Sequence, residues 1–271
     1  MMQKFKTLKK FKSALTNLGY YVGNPEHNGE FRLIKKIISH YDLFLDIGFH
    51  KGEISEYVRK INKKIVIFGF DYNINFSKGK KSIFLKKKIN FLNFAISDKT
   101  NKIKTYNYPS RPELSSLKKR KDYNPNILKG EKIRKKKSFS LDKFTELEKI
   151  KKNKKIFLKI DTDGSEKLVI NGMKKLLDRD NISGYFEYSG GWKNFNHTLK
   201  SVFYFLKKRN FSIYRITKKG LILMRYFSEI DENYFQSHYF FVQKSHFKKF
   251  KMKKSKILSL TSDRKECFYI I

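Results

Sequence analysis

The first place in this sequence where residue types and spacing suggest chemistry is Asp46-Ile47-Gly48-Phe49-His50-Lys51-Gly52. An apolar run leads into it and a helix-like pattern leads out. In that arrangement a glycine-rich turn can bring backbone N–H groups up to a ligand. The spacing Asp-x-Gly-x-x-x-Gly differs from the Gly-x-Gly-x-x-Gly of dinucleotide sites, which disfavours NAD. Asp71 closes the next apolar run, roughly twenty residues beyond the turn, where an acidic side chain can accept both hydroxyls of a ribose. Ala95-Ile96-Ser97-Asp98 follows the third run, where backbone amides and Asp98 could read the exocyclic amine of an adenine. The densest group of ionisable residues comes later, in Lys159-Ile160-Asp161-Thr162-Asp163-Gly164-Ser165-Glu166, with Glu187 at the end of the run after it. Asp161, Asp163, Glu166 and Glu187 could together hold a divalent metal, but their spacing matches no ligand motif, and the sequence leaves a metal open. Lys159 lies within an apolar run and needs a carboxylate partner if that run is buried.

The elements that must position these residues alternate between strand and helix. Leu43–Gly48, Ile65–Asp71, Ile89–Ser97, Ile156–Asp161 and Ile182–Tyr188 are short apolar runs of strand length. Between or after them, Glu53–Lys60, Ser165–Asp178 and Asn196–Arg209 carry apolar residues at helical spacing. Such alternation predicts a mainly parallel, doubly wound α/β sheet with helices on both faces. Phe211–Thr217, Leu221–Met224 and His238–Gln243 follow with little between them, which predicts an antiparallel edge.

Ahead of this core, Phe5, Leu8, Phe11, Leu15 and Leu18 recur at helical spacing, Gly23 to Gly29 reads as a break, and a second helix spans Glu30 to His40. Residues 1–40 are therefore expected to be a helical extension that caps the domain, the first helix alternatively lying on a membrane surface. The expected catalytic domain is 41–245. Within it, 98–155 is an irregular insertion with candidate strands at Lys102–Tyr106 and Ser138–Leu141; it is either a substrate loop or a solvated excursion. Residues 246–271 read as a basic tail, with Phe247–Lys256 a solvated helix or frayed end.

Composition sets the outer bounds. Of 271 residues, 39% are hydrophobic and 16% aromatic, enough for a sizeable core and against wholesale disorder. A single cysteine, Cys267, excludes a disulfide framework and a cysteine-cluster metal site. No apolar run reaches the length of a membrane span, and no secretory signal is recognised, so the expected location is cytoplasmic. There are 62 basic against 25 acidic residues, a net charge of +37. That field would attract nucleic acid, other anionic partners or a membrane surface. Only ten of the basic residues are arginine, the type suited to bidentate phosphate and base recognition, and the lysines are spread over nearly every segment. Compositional drift explains this better than a dedicated nucleic-acid site.

Taken together, the motifs resemble the FkbM-type methyltransferase family. That family pairs a Leu-Lys-Ile-Asp-x-Glu-Gly-x-Glu strand and turn with a helix reading Val-Leu-x-Gly. This chain has Leu158-Lys159-Ile160-Asp161-Thr162-Asp163-Gly164-Ser165-Glu166, then Leu168-Val169-Ile170-Asn171-Gly172, with Asp163 where Glu is usual. Asp46 to Gly52 resembles the family's cofactor loop, Phe70-Asp71 stands where Phe-Glu is usual, and Ala95–Asp98, Ser140–Phe144 and Phe186-Glu187 follow in the family's order. The resemblance covers about residues 40 to 190.

The resemblance implies a class I, Rossmann-like methyltransferase fold and methyl transfer from S-adenosylmethionine, typically to a hydroxyl of a sugar, glycan or secondary metabolite. It implies Asp46, Gly48, His50, Gly52, Asp71, Ala95, Ser97, Asp98 and Asp161 as cofactor-binding residues. A hydroxyl acceptor needs a base or a cation to manage its proton. Asp161 is the first candidate for that work, Glu187 the second and His50 the third. An RNA methyltransferase is the alternative that the charge suggests. Against it, Asp161-Thr162-Asp163-Gly164 stands where base-methylating enzymes usually carry an Asn/Asp-Pro-Pro-Tyr/Phe strand end. A third possibility is a domain that keeps the fold without the activity.

Overall fold

The computed structural model describes residues 13–20, 23–73, 81–261 and 264–271. Phe5, Leu8 and Phe11 of the expected first helix lie outside these; residues 13–17 are helical. A short turn of helix α1 (Pro25–Asn28) precedes α2 (Glu30–Ile37), which a 3-10 turn extends to His40. Leu33, Ile34 and Ile37 of α2 are fully buried, so this helix is a layer of the core.

The elements that follow are β1 (Leu43–Ile47), α3 (Glu53–Ile61), β2 (Val66–Phe70), α4 (Lys81–Lys86) and β3 (Ile89–Leu92). After an intervening small sheet come α5 (Leu141–Leu147), β7 (Ile156–Ile160), α6 (Glu166–Asn171), α7 (Lys174–Leu177) and β8 (Ile182–Tyr188). Strands β3-β2-β1-β7-β8 pair in parallel in that order. The chain moves outward from β1 to β3, then returns to lay β7 on the other side of β1. Loops leaving the carboxyl ends of β1 and β7 therefore part in opposite directions and open a crevice at this switch point. The site residues of these strands sit at that end of the sheet.

Beyond β8 the sheet continues antiparallel through β11 (Ser237–Gln243), β9 (Phe211–Thr217) and β10 (Gly220–Met224). Helix α8 (Leu199–Lys207) packs Leu199, Val202, Phe203 and Leu206 with α6 and α7 against one face of the sheet. Helices α2 and α3 cover the other face, where Phe44, Ile67, Phe157 and Tyr185 meet Leu33, Ile34, Ile54 and Val58. The architecture is thus doubly wound α/β with an antiparallel edge, as the sequence predicts.

Four segments differ from expectation, each for a local reason. The expected strand Ile89–Ser97 turns at Asn93-Phe94, so Ala95–Ile96 becomes a separate strand, β4, in a second sheet with β6 (Lys132–Phe139) and β5 (Asn101–Asn107). The expected strand at Ser138–Leu141 starts earlier, at Lys132, and ends at Phe139 because Ser140 caps α5, its side chain accepting from the Lys143 amide. The expected helix Ser165–Asp178 is broken in two. A Cβ on Gly172 would lie 2.1 Å from the Ser97 carbonyl oxygen, and the Asp142 carboxylate accepts the Lys175 and Leu176 amides that begin α7. Finally, the basic tail keeps the expected solvated helix, with Lys248 and Lys249 exposed, but continues into a strand pair. Helix α9 (Lys244–Lys249) leads to a hairpin, β12 (Lys253–Thr261) with β13 (Arg264–Ile270), that extends the sheet from β10. Phe247 stacks on Tyr214 at 4.5 Å and Phe250 is buried; two aromatics three residues apart inside a lysine run were enough to anchor it.

Candidate active site

The crevice between β1 and β7 is a cavity of about 440 Å³. Toward β1, β2 and residues 95–96 one half is walled by Gly48, His50, Asp71, Tyr72, Asn73, Ala95 and Ile96; toward β7, β8 and α2 the other is walled by Glu30, Lys159, Asp161, Glu187, Gln236 and His238. The first half mixes glycine, one carboxylate and apolar walls. The second is acidic.

Gly48 shapes the first half. Its φ is +82°, and a Cβ there would lie 1.6 Å from the Asp161 carbonyl oxygen, so only glycine lets the ends of β1 and β7 approach this closely. The turn does not present an open row of amides. Gly48 and Phe49 donate to the Phe70 carbonyl at 3.0 Å, Gly52 donates to Phe49, and the His50 amide donates to Asp71 Oδ2 at 2.9 Å. Asp71 Oδ1 accepts from the Asn73 amide at 2.8 Å. Burial pushes the Asp71 carboxyl above its ordinary value, and these two amides pull it back. Asp71 therefore joins the loop to the turn after β2, with its carboxylate at the cavity wall.

Asp46 does not line the cavity. It is buried beneath the loop, where it accepts from Ser55 Oγ at 2.7 Å and pairs with Lys159 Nζ at 3.2 Å. The two are opposite each other in the parallel register of β1 and β7. Lys159 also donates to the Gly48 carbonyl and lies 3.7 Å from Asp161 Oδ2. The buried lysine thus has the carboxylate partner its setting demands, and the pair fixes the floor of the loop. Gly52, Ser97 and Asp98 are also absent from the cavity wall. Gly52 lies against the ring of Phe49 at the start of α3. Ser97 and Asp98 lie against Gly172, Ser97 Oγ donating to Asp98 Oδ1 at 3.2 Å. Because the chain turns at Asn93-Phe94, Ala95 and Ile96 face the cavity in their place.

Asp161, Glu187 and His50 do meet at one cavity. Asp161 follows β7, and its amide donates to the Ile47 carbonyl at 3.0 Å. Glu187, near the end of β8, is pushed up to about 7 by burial and by the neighbouring Asp161 charge, with His238 pulling the other way. Gln236 Nε2 donates to Glu187 Oε1 at 2.7 Å. Burial, followed by Lys51 and Lys159, lowers the His50 value, which favours the neutral imidazole. A carboxyl and an imidazole so perturbed in one cleft are suited to proton transfer near neutral pH.

Sequence reasoning missed Glu30, Gln236 and His238. His238 pairs in register with Glu187 across β8 and β11, and its Nε2 lies 3.8 Å from Glu30 Oε1. Glu30 is held at its backbone and side chain by Asn28. The only signals for these were polar residues at the start of an amphipathic helix and of an apolar strand. The insertion also reaches the cavity, through Pro112, Glu113, Ser115 and Leu117. It is anchored behind them by Arg120, which pairs with Asp122 at 2.8 Å and Asp163 at 3.0 Å, and by Ser116, which donates to the Asp163 carbonyl.

The sequence model of the Methyltransferase FkbM domain matches residues 46–213. Among solved structures, the chain is similar to the methyltransferase FkbM of Methylobacillus flagellatus KT, with 12% identity and a TM-score of 0.43 over 74% of this chain and 43% of that one. The chain thus spans less than half the length of that protein. It is also similar to an rRNA methylase from Streptococcus thermophilus (10% identity, TM-score 0.41, 82% of this chain and 98% of that). A third is a Streptococcus mutans protein in complex with SAH (11% identity, TM-score 0.39, 82% and 99%). No curated protein matches.

Proposed function

Since this chain belongs to the FkbM methyltransferase family, with S-adenosylmethionine as its cofactor, we propose that it methylates a hydroxyl of a sugar, glycan or secondary metabolite. The observation that carries this reading is the division of one cavity into a cofactor-like half and an acidic half.

The first half fits the cofactor's chemistry. Asp71 offers a carboxylate for ribose hydroxyls, Ala95 and Ile96 an apolar wall for adenine, and the amino-acid end is assigned to the stretch of cavity beside Gly48. When bound, the cofactor supplies a methyl group already activated by its sulfonium, so the protein's task is alignment and proton management. Asp161, at the switch point, is assigned to the acceptor hydroxyl. Glu187 and His50 receive or relay its proton, and Gln236 holds Glu187 in place. Asp46 supports the loop through Lys159 without touching the ligand. We assign the insertion bordering the cavity at Pro112–Leu117 to acceptor recognition, and the domain limits 41–245 to the catalytic unit with the terminal segments appended to it.

The test is calorimetric titration with S-adenosylhomocysteine, followed by transfer of labelled methyl to a panel of hydroxylated acceptors and to RNA. Absence of S-adenosylhomocysteine binding would remove the enzyme reading altogether; transfer to RNA alone would replace the acceptor class. One observation favours that second reading. Strands β5 and β6 expose Lys102, Lys104, Lys132, Arg134, Lys135 and Lys137 on one hairpin. A phosphate backbone could follow such a hairpin.

A further inference from the structure

Asp161, Glu166 and Glu187 reach one point from the end of β7, the first turn of α6 and the end of β8. One carboxylate oxygen of each lies within 4.8 Å of the other two, the group of this kind found among the described residues. Asp161 and Glu187 line the cavity, and Glu166 lies behind them with no exposed surface. Of the nearby cations, Lys159 is shared between Asp46 and one member of the group, and Arg120 is committed elsewhere. Lys159 pairs with Asp46 at 3.2 Å and stands 3.7 Å from Asp161, while Arg120 is held by Asp122 and Asp163.

The oxygens of this group are not all spent on the protein. Glu166 Oε1 accepts from the amides of Thr162 at 2.7 Å and Gly164 at 3.2 Å, and Glu187 Oε1 accepts from Gln236. Glu166 Oε2 is fully buried and meets no donor. Burying a carboxylate oxygen with nothing to neutralise it is costly, and two more carboxylates beside it raise the cost.

We propose that Asp161, Glu166 and Glu187 hold a divalent cation at the floor of the acidic half of the cavity. Carboxylate oxygens alone suit a hard ion of the magnesium, manganese or calcium class. Two ligands of one such ion stand at most about 4–5 Å apart, twice the metal–oxygen distance, and the three oxygens fall within that span. Three protein ligands leave positions open toward the cavity, where an acceptor rich in oxygen can complete the coordination. This last role rests on the proposed methyl transfer to a hydroxyl, in which His50 then takes the proton in place of the coordinated Glu187; binding of the ion does not rest on it.

The experiment is a Mn²⁺ titration of the full chain followed by electron paramagnetic resonance, with S-adenosylhomocysteine binding measured on the same samples. One Mn²⁺ per chain is expected, displaced by Mg²⁺ or Ca²⁺ and weakened at least about tenfold in Glu187→Gln, since affinity follows ligand charge. Glu166→Gln should do the same; because Glu166 also ties the Thr162–Gly164 turn, circular dichroism checks its fold, and Glu187→Gln stands if it fails. Wild-type protein that binds the adenosyl ligand but no Mn²⁺ up to millimolar concentration overturns the site, its carboxylates then being neutralised by protons or by the cofactor. Mn²⁺ binding unchanged in both variants overturns it as well. Failure of the methyltransferase reading is visible separately, as absent adenosyl-ligand binding whatever Mn²⁺ does.

Discussion

At the residue scale, the contacts of Asp71 make it the most informative single position. Its two oxygens accept the His50 and Asn73 amides, and the residue lines the cavity. Replacing Asp71 by Asn turns one acceptor into a donor and removes the charge, so S-adenosylhomocysteine affinity should fall roughly ten- to a hundredfold, the range for a hydrogen bond to a charged group. Calorimetry reads this directly; unchanged affinity would remove Asp71 from the cofactor site. Gly48 predicts a different outcome. An alanine there combines a left-handed backbone with a Cβ 1.6 Å from the Asp161 carbonyl oxygen. The expected loss is at least about 1–3 kcal/mol of stability from strain, seen as a lower Tm together with weakened adenosyl-ligand binding.

At the scale of elements, β1 and β7 are joined by hydrogen bonds and by a buried cross-strand ion pair. The Lys159 and Asp46 side chains are 6% and 1% exposed. Lys159→Met leaves Asp46 buried without a counter-charge, for which about 3–5 kcal/mol of destabilisation is expected. Adding Asp46→Asn should recover part of it, and thermal denaturation of the single and double variants decides whether the pair or the lysine's packing matters. The insertion is held by a second, separate device. Arg120 is buried and clamps the segment to Asp163, so Arg120→Met should expose residues 108–131 to protease while leaving S-adenosylhomocysteine affinity within about threefold, the contacts recorded between the segment and the cofactor-like half being those of Asn73 with Ser115 and Pro112. Equal loss of both would mean that the segment belongs to the cofactor site.

At the scale of the molecule, the net charge of +37 is the dominant long-range property. If lysine scatter is its whole meaning, RNA binding should be weak and collapse by about a thousandfold or more between 50 and 200 mM salt, as expected for several phosphate contacts without base readout. A salt-resistant component would indicate a built RNA site and favour the exposed β5–β6 hairpin as its location. Among the described residues no helix is long and apolar enough to cross a membrane.

The strands of the parallel sheet, the glycine turn and the family were legible in the sequence because each is a local pattern: apolar runs of strand length, fixed spacing, and motifs in order. Residues called from those motifs divided once the chain folded. Gly48, His50, Asp71, Ala95, Asp161 and Glu187 reach the cavity; Asp46, Gly52, Ser97 and Asp98 do not, because strand pairing turned Asp46 toward Lys159 and the bend at Asn93-Phe94 turned Asp98 away. Local pattern also failed where order depends on distant partners. Phe247 and Phe250 needed Tyr214 and the sheet face to seat helix α9 within a lysine run. Glu30, Gln236 and His238 come from outside the family motifs and meet Glu187 only through β11 pairing and the packing of α2. The sequence by itself determined the fold class and the glycine turn after β1, which depend on neighbours within a few residues. Only the tertiary structure decided which carboxylates share a point in space, since that depends on β8 being laid parallel beside β7, which carries Glu187 to Asp161 and Glu166.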